Sequence, residues 1–581
     1  MNVRPRGEAL RDALVAVGFV ALFLVGLGRP ELMDPDESRH AEIARAMLAD
    51  EQFLTPRVYG EAYYDKPVGF HWAVAASLAL FGPTTVAARL PSALAALATL
   101  ATTAWWARRM RDAAAARLSA AMLGTSLLFV GLGRFGGIDM VFTALLTAAV
   151  ARLSVAAQQP VPSQRSALVS YALIALAMLV KGPVALALAL PALAAAWIAT
   201  RERGAAWLVP WRGAATILAI AVPWYAAAAH ADPLYIRTFL ETHNLARFAG
   251  SDALAHQRSI AYYVLALPLA FLPWTPLIGV GVYARVRGQR WSGSELVLAA
   301  WLGAVLGVFA LAGTRLVTYL LPAFPALAVL GSIGLVDRWR AADADDHARK
   351  HLQRWALWWG TVVSAAVAAA VVLRIASGEM GHAAAATAAL ALAAVAAYGT
   401  GLLRSAGAAS PHVMIALLAS GTVIAAGGAY GPVADLLTAA KGYHALGAEL
   451  ARELPPDSVV VSLARAPHAL SFYSGRTIGR LGDLDAARSA LAVDRAVLLL
   501  TKRKYADALA SDPTSKVETV WRNAQGTTLL ANARATAEWR RREGVEPSAD
   551  HDGRHHGFED RSGHRTRSLS SSRDRSDGAH P

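Results

Sequence analysis

The stretch Met33-Asp34-Pro35-Asp36-Glu37-Ser38-Arg39-His40 sets three carboxylates, a guanidinium and an imidazole directly after an apolar run. Asp34 or Asp36 can cap a helix, and Ile43 and Met47 give that helix an apolar stripe. A capped amphipathic helix lying on a membrane therefore accounts for part of the pattern. Capping takes one carboxylate, however, and acids crowded at a membrane boundary are costly to desolvate, which favours a functional role. Further turns carry reactive side chains: Tyr63-Tyr64-Asp65-Lys66-Pro67, Gly136-Gly137-Ile138-Asp139-Met140 and Val180-Lys181-Gly182-Pro183. Downstream come Glu241-Thr242-His243-Asn244-Leu245-Ala246-Arg247-Phe248, His256-Gln257-Arg258 and Arg315-Leu316-Val317-Thr318-Tyr319.

The elements that must position these turns are membrane helices. Of 581 residues, 55% are hydrophobic and 17% charged, and mean hydropathy is positive, which is more apolar surface than a soluble chain can hide. A span needs about 20 mostly apolar residues. The chain offers thirteen candidates, near 10–28, 84–106, 113–132, 139–157, 167–181, 183–199, 211–228, 260–283, 295–312, 316–335, 356–374, 382–403 and 412–431. The first begins like a signal peptide but shows no small-residue cleavage site, so it reads as an uncleaved span. The apolar segment 67–82 is short and holds His71, and it reads as an interfacial helix.

The net charge of +14 sits mostly in short loops and in the tail, so it reads as topology and excludes nucleic acid as a partner. Arg4 and Arg6, Arg108 to Arg111, Arg152 and Arg165, Arg201 and Arg203, Arg285 to Arg290, Arg338 to Lys350 and Arg404 all fall on one side. That side is the cytoplasmic one by the positive-inside rule. The opposite side holds every turn quoted above, so the chemistry is expected on the periplasmic face of a bacterial inner membrane. The absence of cysteine excludes disulfides and thiolate metal sites without choosing a compartment.

Past the last span the composition changes. Val459-Val460-Val461 and Ala496-Val497-Leu498-Leu499-Leu500 read as buried strands between helix-like stretches. The expected organisation is an all-α polytopic membrane domain over 1–432, about 13 transmembrane helices plus interfacial ones. A small external α/β domain over 433–535 and a disordered basic tail over 536–581 complete it. The tail histidines His551, His555, His556, His564 and His580 match no structural metal spacing and read as solvated.

Taken in order, the Asp-Glu-x-Arg helix, the acid-Lys-Pro turn, the Asp-Met at a span start, the Lys-Gly turn and the Arg-Leu-Val-Thr-Tyr segment resemble one superfamily. It is the aminoarabinose (lipid A) and protein-mannosyl transferases, integral membrane glycosyltransferases of the type called GT-C. The resemblance runs over residues 10–335. His40, Asp65 and Arg315 depart from it, standing where the family usually has Tyr, Glu and Lys. The shorter Asp65 carboxylate puts a metal there in question.

The resemblance implies an inverting transfer from a polyprenyl-phosphate sugar to a lipid or glycan acceptor such as a lipid A phosphate. Asp36 is expected as the main catalytic carboxylate, with Glu37 and Asp139 supporting it. Arg39, Lys66, Lys181, Arg247, Arg258 and Arg315 are expected to bind the substrate, as cations that can neutralise phosphate, with Tyr63, His243, His256 and Tyr319 adding hydrogen bonds. Taken singly, each cation reads equally well as an anchor for lipid headgroups. A divalent metal is expected, if anywhere, at Asp65. No nucleotide cofactor is expected, because Gly131-x-Gly133 lies at a span end, follows no strand and lacks the third glycine.

Two alternatives accompany this reading. One is a related transferase using another sugar or a protein or glycan acceptor. The other is a transporter of lipid-linked sugars, which the nearly charge-free spans and the lack of a repeat disfavour.

Overall fold

The structure, a computed structural model, describes residues 6–203, 205–249, 259–288, 291–342, 442–455, 457–463, 467–512, 515–523 and 525–542. Contacts divide the chain into two units. The first comprises 1–452 together with 465–479, and the second 453–464 with 480–581. The division therefore falls elsewhere than residue 432, and a short segment from within the expected α/β domain returns to the helical unit.

The first unit is helical. Its elements in chain order are α1 (Arg6–Leu24), α2 (Asp36–Ala49), the hairpin strands β1 (Arg57–Val58) and β2 (Glu61–Ala62), α3 (Gly69–Phe81), α4 (Thr85–Met110), α5 (Ala113–Gly124) and α6 (Leu127–Gly133). Then come α7 (Ile138–Ala156), α8 (Gln164–Lys181), α9 (Val184–Thr200), α10 (Pro210–Ala231), α11 (Pro233–Arg237), a π-helical stretch (Thr238–Ala246) and α12 (Arg247–Ala249). The series closes with α13 (Ala261–Ala270), α14 (Thr275–Gly288), α15 (Gly293–Leu311), α16 (Phe324–Ala342), α17 (Tyr443–Glu453) and α18 (His468–Ser474).

Six helices among the described residues are long and apolar enough to span a membrane, or up to eight if each of two bent pairs counts as one span. The spans expected at 356–374, 382–403 and 412–431 lie outside the described residues.

Two expected single spans are broken. The one over 113–132 bends by 70° between α5 and α6. There the Thr125 and Ser126 hydroxyls donate to the carbonyls of Ala121 (2.6 Å) and Leu123 (2.9 Å), competing with the helical ladder. The one over 260–283 bends by 107° between α13 and α14, at Pro273, which has no N–H to continue a helix.

Packing follows the rules of membrane bundles, where small residues allow close approach and polar groups join helices. A Cβ added at Gly281 of α14 would run into the backbone of Gly331 on α16. The fully buried Trp106, Trp274 and Trp301 each donate their indole N–H, to Ser154 Oγ at 2.9 Å, Thr125 Oγ1 at 2.7 Å and the Pro322 carbonyl at 3.0 Å.

The second unit holds a five-stranded sheet of order β4-β3-β5-β7-β6, with β3 (Val459–Leu463), β4 (Gly479–Leu481), β5 (Val497–Lys502), β6 (Val517–Arg522) and β7 (Thr527–Asn532). β3 and β5 run parallel, and β5–β7 and β7–β6 antiparallel. The helices α19 (Leu484–Leu491) and α20 (Arg503–Ala510) pack Ala487, Leu491, Ala506 and Leu509 on the strand residues Val461, Leu499 and Leu530. A last helix, α21, covers Ala533–Arg542. The tail reading from 536 thus begins too early, and the rest of the tail lies outside the described residues.

Candidate active site

The first loop is fastened from below by an ion pair. Glu37, in the first turn of α2, accepts from Arg89 Nε at 2.6 Å and Nη2 at 2.8 Å, with side-chain exposures of 1% for Arg89 and 0% for Glu37. Glu37 also accepts from the backbone N–H of Met33 (2.9 Å) and Gly136 (2.7 Å). Arg89 spends its remaining donors on the carbonyls of Leu27, Pro30 and Glu31. A carboxylate so enclosed and saturated is not open to substrate. Glu37 is therefore placed as the knot that ties the loop to the starts of α4 and α7, not as a second catalytic acid.

Its neighbour faces the other way. The Asp36 side chain is 65% exposed and pairs with Arg39 Nη2 at 2.5 Å, one helical turn on. The Arg39 guanidinium lies over the Tyr63 ring, 5.4 Å from its centre. Burial works against the Arg39 charge, but Tyr63, Asp36 and Asp65 outweigh it and hold its pKa above the ordinary value. The Tyr63 hydroxyl donates to Asp65 Oδ2 at 3.2 Å, and burial, with Asp65 beside it, keeps that hydroxyl protonated.

Asp65 is a meeting point. Lys66 Nζ donates to its Oδ1 at 2.8 Å, and His243 Nδ1 lies 3.3 Å from the same oxygen. The π-helical stretch that carries His243 is a rare form, frequent at functional sites. Tyr235 steadies the turn by donating to the Lys66 carbonyl at 2.7 Å.

The third pair joins Asp139, in the first turn of α7, to Lys181 at the end of α8. The Lys181 ammonium also lies over the rings of Tyr319 (4.7 Å) and Phe142 (5.1 Å), and Tyr319 stacks on Phe309 at 4.8 Å.

Close backbone contacts bring these pairs to one end of the bundle. A Cβ on Gly69, near Lys66, would lie 2.8 Å from the Leu179 carbonyl, near Lys181. Gly182 adopts φ +90°, and a Cβ there would meet Phe239 of the His243 segment at 2.7 Å. A Cβ on Gly136 would lie 3.3 Å from the Glu37 side chain, a tight contact. Asp36, Arg39, Tyr63, Asp65, Lys66, Asp139, Lys181, His243 and Tyr319 are thus carried by elements that touch one another.

Arg315 donates through Nη2 to the Ala310 carbonyl at 2.8 Å at the end of α15. Arg247 lies in α12 but its side chain is outside the described residues, as are His256 and Arg258.

Several residues of this end were not among the expected site residues. His40 and His71 are buried with Nδ1 and Nε2 3.1 Å apart, behind Tyr63, whose ring meets His71 edge-on at 6.1 Å. Arg89 also passed unnoticed, although a charge inside an apolar span is itself a signal. Tyr235 and Phe239 carried none, being aromatic residues in an ordinary loop.

For a divalent cation, Asp65 and His243 are donors of the right kind, and they face each other. Among the described residues no group of three His, Asp or Glu side chains could enclose an ion. Asp65 and His243 alone supply two donors, Asp65 Oδ1 already accepting from Lys66 at 2.8 Å, so the other ligands of any cation there would have to come from substrate or water.

The family model for dolichyl-phosphate-mannose-protein mannosyltransferase matches residues 65–226. The undecaprenyl phosphate-alpha-4-amino-4-deoxy-L-arabinose arabinosyl transferase of Edwardsiella ictaluri is 32% identical over 324 residues, 54% of this chain and 58% of the relative. The corresponding protein of Pseudomonas paraeruginosa is 31% identical over 339 residues, 57% of this chain and 61% of the relative. The chain thus aligns with less than two thirds of the length of these relatives. ArnT from Cupriavidus metallidurans, solved bound to undecaprenyl phosphate, superposes with a TM-score of 0.73 at 21% identity over 91% of this chain and 98% of that one. Its apo structure gives 0.72. The fold is shared.

Proposed function

The chain resembles the GT-C integral membrane glycosyltransferases in its motifs, in the family model it matches and in its fold, and from that premise we propose that it transfers a sugar from a polyprenyl phosphate. The donor in this proposal is undecaprenyl phosphate carrying 4-amino-4-deoxy-L-arabinose. The acceptor is a phosphate of lipid A, and the site faces the periplasm. The observation that supports it is the set of three cation–carboxylate pairs, Arg39–Asp36, Lys66–Asp65 and Lys181–Asp139, at one end of the bundle.

In the proposed reaction an acceptor oxygen attacks the anomeric carbon as the bond from that carbon to the phosphate oxygen breaks. The electron pair leaves with undecaprenyl phosphate, and configuration inverts. Charge builds up on the leaving phosphate, so fixed cations at that point lower the barrier. Arg39 can hold two phosphate oxygens at once, while Lys66 and Lys181 act as point charges.

A phosphate that engages Arg39 draws it from Asp36. The exposed carboxylate is then free to take the proton of an acceptor hydroxyl, or to orient an acceptor phosphate that is already ionised. A divalent cation, where one is bound, would be held by Asp65 and His243 and would add positive charge beside the phosphate. The steps above do not pass through it.

The test is turnover by purified protein given the undecaprenyl-linked aminosugar and lipid A, followed by mass spectrometry of both lipids. Lipid A gaining one aminosugar, with undecaprenyl phosphate released, supports the proposal. Release with unaltered lipid A means that water took the sugar, and moves the reading to another acceptor, in keeping with the mannosyltransferase family model. An intact donor overturns it.

A further inference from the structure

The connection between β3 and β4 does something unusual for a link between neighbouring strands. Such links are ordinarily polar and lie on the surface. Here α18 buries His468, Ala469, Leu470, Ser471, Phe472 and Ser474, and residues 465–479 count with the helical unit.

Several of its contacts fall on one target. The Tyr473 hydroxyl accepts from the Leu32 backbone N–H at 2.8 Å and lies 2.9 Å from Thr85 Oγ1. The Ala469 backbone N–H donates to Asp34 Oδ1 at 3.2 Å. The His468 ring stacks on Tyr59 with centres 4.9 Å apart and planes 13° from parallel. Arg45 Nη1 donates to the Gly475 carbonyl at 3.1 Å. Leu32, Asp34, Arg45 and Tyr59 all belong to the loop and helix that present Asp36, Arg39 and Tyr63, and Thr85 begins the helix that holds Arg89.

Tyr59 sits at the turn of the β1–β2 hairpin with φ +56°. A bulky residue there is strained and persists only where its surroundings enforce it. The stacked imidazole of His468 is part of what surrounds it.

We infer that residues 467–475 are a positioning strap for the first loop, with Tyr473 and His468 as its positioning residues, holding Asp36, Arg39 and Tyr63 in register for transfer. The strap touches none of the reacting groups itself. It acts on turnover by limiting the excursions of the loop, since a displacement of about 1 Å at reacting groups can cost 10²-fold in rate. The inference rests on the transferase reading above for its effect on rate, and on geometry alone for its effect on the loop.

The test uses the full chain in lipid nanodiscs with three variants: Tyr473→Phe, which removes the hydroxyl and keeps the ring, His468→Ala, and His468→Phe, which keeps a ring on Tyr59. Amide hydrogen exchange is read over 29–66 and over the bundle helices, alongside kcat and KM for the lipid-linked donor. Tyr473→Phe and His468→Ala should speed exchange over 29–66, leave α7 and α9 unchanged, and lower kcat by about tenfold with KM within about twofold. His468→Phe should restore the rate.

Unchanged exchange over 29–66 overturns the strap. So does faster exchange with an unchanged kcat, or a rise in exchange spread evenly over the bundle. If the wild type does not consume donor at all, the transferase reading fails, while the exchange arm still decides whether the strap restrains the loop.

Discussion

Asp36 and Glu37 are adjacent in sequence yet lie on opposite sides of a boundary: Asp36 is 65% exposed, while Glu37 is closed over by Arg89 at 2.6 Å. One helical step of about 100° divides a carboxylate that can meet substrate from one that holds the loop in place.

That division predicts opposite phenotypes. Glu37→Ala leaves Arg89 as a buried charge without its partner and should cost about 3–5 kcal/mol of stability, seen as a lowered thermal midpoint and poor recovery of folded protein. Asp36→Ala should abolish turnover while leaving the midpoint and carrier-lipid binding unchanged. An Asp36→Ala protein with normal turnover would remove that residue from the mechanism.

Lys181 is enclosed by Asp139, Phe142 and Tyr319, so its charge is held in a fixed place. Lys181→Met should reduce kcat by about 10²–10³ with the protein still folded, because the phosphate loses a preorganised partner. An effect confined to donor KM would instead mark it as a binding group only.

Asp65 and His243 are far apart in sequence and meet at 3.3 Å. Asp65→Asn and His243→Ala should therefore be non-additive, with a coupling of about 0.5–3 kcal/mol in a double-mutant cycle on kcat/KM. Additive losses would show two independent sites. Dialysis against a chelator before the same assay asks whether a cation takes part in the coupling.

The buried His40 supplies a pH prediction. Burial, reinforced by His71, Arg39 and Lys66 and opposed by Asp65, holds its pKa well below 6.5. Above that value the ring is neutral in both folded and unfolded chains and contributes no slope. Below it, the unfolded chain binds a proton that the folded one refuses, so stability falls with pH by up to about 1.4 kcal/mol per unit. His40→Asn should flatten the decline of thermal midpoint between about pH 6.5 and 5, and identical slopes would contradict the assignment.

Much of this end of the molecule was legible in the chain. The reactive turns stand out because acids, bases and aromatics punctuate long Ala- and Leu-rich runs. The apolar periods located α4, α7, α8, α10 and α15 to within a few residues, since a lipid solvent demands length and apolarity from each span. The breaks at Thr125 and Pro273 were less visible, because hydropathy averages over a window and does not register which backbone groups lose their partners.

By itself, then, the sequence determined which groups could take part in chemistry and that helices in a bilayer would present them. That follows from local composition and from the need to satisfy every backbone polar group away from water. Only the tertiary structure decided which of those groups work together. Glu37 became an anchor because Arg89 and the Gly136 N–H converge on it. Residues 467–475 were brought onto the loop that carries Asp36. Such pairings join positions far apart along the chain, and helix packing, rather than any spacing within a segment, selects them.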